Sequence, residues 1–230
     1  LIIALPVQVL QGPDAKTVIQ SLETWLIGSH NYCCNGTDWT LTISSIKVMA
    51  QPLGSFFEWG LGLNGEWQRS VPDLKSSIAI LDQGFNTTDL FHLNMGQIVK
   101  RYTGGETLGQ RRAAKIMQDL VEQRYGKKLS LQEADSLLRS SISDSTKRNK
   151  SEFRDLSKQA FDVAASELRS FISQIWEDAK QFDKIILTGG GSIALGNRLR
   201  SIFTNAIELP DPVTANSRGL ARFAQRKGIF

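Results

Sequence analysis

The stretch AILDQGFNTTDLF, Ala79 to Phe91, decides how this chain is read. Apolar residues lead into Asp82, the run breaks at Gly84, and Asn86, Thr87, Thr88 and Asp89 follow before apolar residues resume. This pattern predicts a buried strand, a tight turn and a return strand. Gly84 lets the chain turn without a Cβ. The amides around Asn86 and the hydroxyls of Thr87 and Thr88 are then free to donate to an anion. Asp82, at the strand end, is placed to hold a magnesium ion through water, because such ions keep waters and take few carboxylates. An ordinary hairpin with a polar tip is the competing reading.

A second stretch shares the design. KIILTGGGSIAL, Lys184 to Leu195, joins a strand to a helix through Gly189, Gly190, Gly191 and Ser192. Without side chains there, a flat ligand can lie against the backbone, and the helix N-terminus adds partial positive charge. No Gly-Lys-Ser/Thr follows, which excludes a Walker loop. The spacing, and the lack of an acid about 20 residues on, exclude a dinucleotide fingerprint. Taken alone, this stretch reads first as a simple turn and only second as a ligand site.

Around these two stretches the chain alternates strands with helices, which predicts an α/β fold. Upstream, Leu1 to Val7 reads as a strand and Asp14 to Ile27 as a helix with Val18, Leu22, Trp25 and Leu26 on one face. Asn35-Gly36 marks a hairpin turn, WTLTISSIKV alternates as one strand, and Pro52 opens a helix to about Leu63. Strands are expected at Ser77 to Leu81, Thr88 to Asn94 and Ile98 to Tyr102, with TGGE closing the set. Helices are expected from Thr107 to Tyr125, from a capping box at Ser130 to about Arg139, and from Ser151 to about Gln181. Residues 140 to 150 read as an exposed connection. KIILT and AIEL are the last strands, with helices over Ala194 to Thr204 and Asn216 to Lys227.

Composition narrows the class. The chain has 230 residues, 41% of them hydrophobic and 22% charged, which suits one large or two small globular domains. The net charge of +4 comes from 27 basic and 23 acidic residues spread along the chain, so no direct nucleic-acid binding is expected. No apolar run reaches the roughly 18 residues of a membrane helix, and no signal peptide is visible, so no membrane contact is expected. Cys33 and Cys34 are adjacent and cannot staple a loop, which fits a reducing, cytoplasmic setting.

Asp-x-Gly-x-x-Thr-Thr-Asp, then a helical segment, then LTGGGS is a sequence order that resembles the actin-like ATPase superfamily. DQGFNTTD is similar to that family's second phosphate motif and LTGGGSIAL to its adenosine motif. VMAQPLGS resembles the connection between the family's two halves, LIIALPV a strand late in its first half, and ELPDPVTANSRGLARF the C-terminal signature of ParM/StbA-type plasmid-segregation actins. The resemblance implies an actin-like (ribonuclease H-like) ATPase fold, a mixed sheet flanked by helices with a helical insertion subdomain. It implies the end of a first domain over 1–54 and a second domain over 55–214. That second domain would have its core at 76–105 and 182–214, an insertion at 106–150 and a long helix at 151–181. Residues 215–230 would form a C-terminal helix returning toward the first domain.

The same resemblance implies ATP (or GTP) with magnesium as ligands, hydrolysis by transfer to water, and self-association into filaments served by a DNA-binding adaptor protein. Gln51 matches the residue that positions attacking water, and Asp82 the one that faces magnesium. Gly84, Asn86, Thr87 and Thr88 match the phosphate grip, and Gly189, Gly190, Gly191 and Ser192 the purine cradle. TGGETLGQ matches the region where the following helix meets the ribose, so Gly104, Gly105 and Glu106, or a basic residue within Arg111 to Lys115, would lie near the sugar.

His30 and His92 are solitary and expected to be structural, Trp59 and Trp67 to be core or interface, and Arg218, Arg222 and Arg226 to form a solvated helix face. One departure stands out: the family's first phosphate motif, Asp-x-Gly near the N-terminus, has no copy here. The expectation is a chain that begins within a folded element and holds one side of a two-sided nucleotide clamp. The alternatives are a non-polymerising relative (a division or pilus-assembly ATPase, a chaperone-type ATPase or a sugar kinase) and a catalytically silent interaction module of the same fold. A sugar kinase would need an acidic base in the first half, which is not visible.

Overall fold

A computed structural model describes residues 1–143 and 151–229. In chain order its elements are β1 (Ile2–Leu5), α1 (Val7–Gln11), α2 (Ala15–Leu26), β2 (Gly28–Cys34), β3 (Thr37–Ile43), β4 (Lys47–Ala50), α3 (Pro52–Gly60) and α4 (Val71–Lys75). There follow β5 (Ile78–Gln83), β6 (Thr88–Asn94), β7 (Gln97–Ile98), β8 (Gly104–Glu106), α5 (Gln110–Tyr125), α6 (Leu131–Ser143) and α7 (Ser151–Trp176). The chain closes with β9 (Lys184–Thr188), α8 (Gly190–Ile202), β10 (Ala206–Glu208) and α9 (Ala215–Lys227).

The fold is α/β, with a mixed sheet ordered β10-β9-β5-β6-β7 and β8 pairing on β6. β10, β9 and β5 run parallel, and β6 returns antiparallel to β5. All six residues of β5 are buried, because the sheet is covered on both faces. Side-chain alternation divides them. Ala79 and Leu81 join a core with residues of α5, α7 and α8, whereas Ile78 and Ile80 join one with α3 and α9. α7 lays Leu156, Ala160, Phe161, Ala164, Leu168 and Ile172 on the first core at helical spacing.

α3 and α9 cross on the second face with almost no separation: a Cβ at Gly219 would lie 1.8 Å from the Gly54 carbonyl oxygen. The arginines of α9 are not a solvated face. Arg218 and Arg222 each reach Glu58 at 3.0 Å, Arg222 also donates to the carbonyls of Glu58 and Leu61, and Arg226 donates to the Gly65 carbonyl. The Glu58 and Leu61 carbonyls lie at the end of α3, and the Arg222 guanidinium satisfies them.

Several boundaries differ from expectation. WTLTISSIKV is two strands, because β3 pairs antiparallel with β2 while β4 pairs parallel with β1. The first strand stops at Leu5, and α1 starts after Pro6. Ile98 to Tyr102 is a strand only to Ile98, and Lys100–Tyr102 forms a 3₁₀ turn. TGGE supplies β8, paired opposite Thr88, Asp89 and Leu90. α3 ends at Gly60, and α7 ends at Trp176, where Glu177 and Ala179 turn with positive φ. α6 continues to Ser143, so the expected connection over 140–150 begins as helix, and 144–150 fall outside the described residues. On α2 no residue is buried, and Trp25 is 72% exposed.

Candidate active site

Asp82 is the last residue but one of β5, on the α3/α9 face, and is 2% exposed. Its Oδ2 accepts from Gln51 Nε2 at 3.1 Å and from Asn216 Nδ2 at 2.7 Å. Its Oδ1 is buried without a hydrogen-bond partner among the described residues. That oxygen abuts the glycine turn, since a Cβ on Gly189 would stand 2.6 Å from it and 2.3 Å from the Gln83 carbonyl oxygen. Gly189 also has φ 82°, a conformation that favours glycine. Burial pushes the Asp82 carboxyl up, against the pull of the Asn216 and Gln51 donors. A cation or donor facing Oδ1 would relieve that cost.

The turn after Asp82 is closed by Gly84 N donating to Thr87 O at 2.8 Å. Its carbonyls are taken by the start of α5: Gln110 N reaches Gly84 O at 3.1 Å, Arg111 N reaches Phe85 O at 2.8 Å, and Gly109 N reaches Asn86 O at 3.1 Å. C=O and N–H point in opposite directions across a trans peptide. The N–H groups of Phe85, Asn86 and Thr87 therefore face away from α5, as three donors of one concave turn.

The hydroxyls divide differently from expectation. Thr88 is buried and its Oγ1 donates to Leu108 O at 2.5 Å, so it braces the approach of α5 and is not free for a ligand. Thr87 is half-buried and Asn86 exposed at the tip. Ser192 is likewise committed, its Oγ donating to Gly189 O at 2.8 Å.

Gly104, Gly105 and Glu106 lie on β8. A Cβ at Gly104 would meet Ile175 Cδ1 at 2.9 Å, and one at Gly105 would meet Asp89 Oδ1 at 2.6 Å, so packing explains both glycines. Glu106 is exposed, and its Oε1 accepts from Thr107 N at 2.8 Å. Asp89 faces Asp82 across the β5–β6 pair and accepts from Val7 N at 3.0 Å, tying α1 to the sheet. Burial, with Asp82 as neighbour, pushes its carboxyl up to about 7. His92 is structural: its Nε2 lies 2.9 Å from Ser77 Oγ, and its ring packs between Tyr102 and Phe182.

Of the three glycines before Ser192, Gly190 alone has open space, with Val213 Cγ2 3.8 Å from a Cβ built there. It and Gly191 line a cavity of about 360 Å³ with Phe85, Gln110, and Arg139 and Ile142 of α6. Gln51 and Asn216 line a second cavity of about 540 Å³ beside β1 and α9. The structure thus places Gln51, Gly84 and the glycine turn around Asp82. Asn216, Ser55, Gln110 and Arg139 were not read as site residues from sequence. Asn216 lies in a matched signature that carries no role. Arg139 stands on a helix whose only local signal is its cap.

Fold and site together define an actin-like protein. The family model for the archaeal actin homologue MreB-like, C-terminal domain matches residues 80–201, and the chain belongs to that family. Among solved structures, it is similar to the archaeal actin homologue Ta0583 at 18% identity and TM-score 0.66, covering 84% of this chain and 59% of that one. The apo psk41 ParM protein matches at 19% identity and TM-score 0.69, over 98% of this chain and 62% of that one. A 15-stranded ParM filament from Clostridium botulinum matches at 18% identity and TM-score 0.71, over 99% and 66%. The chain therefore spans about three fifths of the length of the first two. At these identities the likeness speaks for the fold. No curated protein sequence matches the chain. Among the described residues, no helix is long and apolar enough to cross a membrane.

Proposed function

We propose that this chain carries the nucleotide-binding side of an actin-like ATPase that assembles into filaments of the plasmid-segregation type. The observation that carries the reading is Asp82: a buried carboxylate with Oδ2 held by Gln51 and Asn216 and Oδ1 left without a partner against the glycine turn. Such an oxygen fits a hydrated magnesium ion, and Asp82 is the residue that would hold it. Magnesium would supply charge neutralisation at the phosphates. The turn amides of Phe85, Asn86 and Thr87 would grip the terminal phosphate, and the cavity at Gly190 would take the purine. Because Gln51 Nε2 is given to Asp82, its Oε1 remains to accept a hydrogen bond from the attacking water and align it. The archaeal homologue in complex with ADP supports the nucleotide reading, and the Clostridium botulinum ParM filament supports the assembly. A DNA-binding adaptor would connect such a filament to its cargo.

The test is titration of ATP, GTP and ADP into the whole chain by calorimetry, with magnesium and with EDTA, followed by sedimentation with ATP. Saturable binding that weakens in Asp82→Ala more with magnesium than without is the expected result. Absence of saturable heat at millimolar nucleotide overturns the reading. Binding without sedimentable polymer leaves the nucleotide site and removes the filament.

A further inference from the structure

We propose that Asn216 is the positioning residue of this site: its single side-chain amide sets the orientation of the Asp82 carboxylate and, with it, the place of Gln51. The inference rests on the nucleotide reading above.

The orientation of the amide follows from its surroundings. Ser55 N, which can only donate, lies 3.1 Å from Asn216 Oδ1, and Ser55 Oγ lies 2.6 Å from the same atom. Oδ1 therefore faces Ser55, and Nδ2 faces Asp82 Oδ2 at 2.7 Å. Ser55 is the fourth residue of α3; the Gln51 carbonyl is taken by Gly54 N at 3.0 Å, and the Ser55 N–H turns to Asn216 instead. Asn216 caps that helix from α9, and α3 begins directly after Gln51. Gln51 Nε2 in turn reaches the same Oδ2 at 3.1 Å. One amide thus fixes both ends of the Gln51–Asp82 contact. Ser55 is itself held, its Oγ lying 2.8 Å from Thr188 Oγ1 on the neighbouring strand.

The physical need is rotational. The terminal torsion of an aspartate is broad and nearly two-fold, so packing alone does not decide which oxygen faces a ligand. Two donors on Oδ2 decide it and leave Oδ1 toward the glycine turn. Such outer contacts orient the group that meets a metal and set its strength.

Asn216→Asp separates the two duties. It keeps an acceptor for Ser55, so the cap on α3 survives, and it replaces the donor to Asp82 with a second carboxylate. Nucleotide affinity of the whole chain is measured by calorimetry with magnesium and with EDTA. The gain in affinity from magnesium should fall about tenfold or more, the loss of one charge-assisted hydrogen bond, while affinity in EDTA stays near the parent's. A merely structural residue would lower the denaturation midpoint and leave that ratio unchanged.

Asp82→Asn combined with Asn216→Asp restores an amide–carboxylate pair in reverse. It should recover the parent's denaturation midpoint but not the magnesium gain. Failure to recover the midpoint overturns the pairing, whether or not Asn216→Asp folds alone. If the parent binds nucleotide with a magnesium gain and Asn216→Asp keeps that gain, only this inference fails. A parent that binds no nucleotide removes the nucleotide reading itself, and one that binds without a magnesium gain removes Asp82 as the metal-facing residue and this inference with it.

Discussion

Asn216 Nδ2 donates to Asp82 Oδ2 at 2.7 Å across 134 residues of sequence. The contact joins the last helix to the end of the central strand, beside the point where α3 starts. It places the candidate water-positioning residue, the candidate metal-facing carboxylate and the C-terminal helix in one hydrogen-bonded chain.

Gly190 and Gly191 should respond differently to added bulk. Gly190 faces open cavity, so Gly190→Val should fold and lose ATP affinity in calorimetry. A Cβ on Gly191 would stand 2.6 Å from Gln83 Cγ, so Gly191→Val should cost about 1–3 kcal/mol of stability by overpacking. Unchanged ATP affinity in a folded Gly190→Val removes the purine assignment.

Gln51→Ala, made in a hydrolytically active protein, should bind ATP about as well as the parent. Its turnover should fall on the order of 10²–10⁴-fold, the usual contribution of a group that aligns a proton-transferring water. If the protein assembles and hydrolyses as proposed, filaments of the variant should persist longer than the parent's. Parental turnover in a folded variant reduces Gln51 to the residue before a helix-opening proline.

The contribution of Asp89 to stability should fall as pH rises from about 4 to about 7, opposed in part by His92, whose burial pushes its imidazole down. Asp89 has its carboxyl raised to about 7 in the folded chain, so over this window the folded state holds a proton that the unfolded state has lost. The unfolded state binds fewer protons, and stability declines with pH until the folded carboxyl also ionises. Asp82, raised as well, acts in the same direction. Asp89→Asn should flatten the dependence of the urea midpoint between pH 5 and about 7.5. A variant slope equal to the parent's contradicts the assignment.

Gly219→Ala should destabilise by about 1–3 kcal/mol or more, because its Cβ would overlap the Gly54 carbonyl at the α3–α9 crossing. Thermal denaturation checks it. Near-parental stability would mean that the two helices can separate without loss.

Features set by near neighbours in the chain were legible without a structure. Asn35 and Gly36 both take positive φ in the predicted hairpin turn, and Gly126 closes α5 in the left-handed conformation. Ser130 and Glu133 bond reciprocally at the start of α6, and Thr88–Asn94 is a strand as read. These depend on turn chemistry and on a period of two or 3.6, which a sequence displays directly. The nearness of Gln51 to Asp82 was legible only as a motif resemblance.

The tertiary structure alone decided the partners of each polar group. The α9 arginines repeat every fourth residue, as a solvated face would, yet they bind the end of α3. Gly104 and Gly105, which the resemblance puts near the sugar, make room for Ile175 and Asp89. Thr88 reads as a free donor, and its hydroxyl finds a carbonyl instead. The physical reason is common to all. Periodicity tells which side of an element is polar, but a hydrogen bond needs a partner placed within about 3 Å, and a partner 134 residues away is set by the packing of helices and sheet.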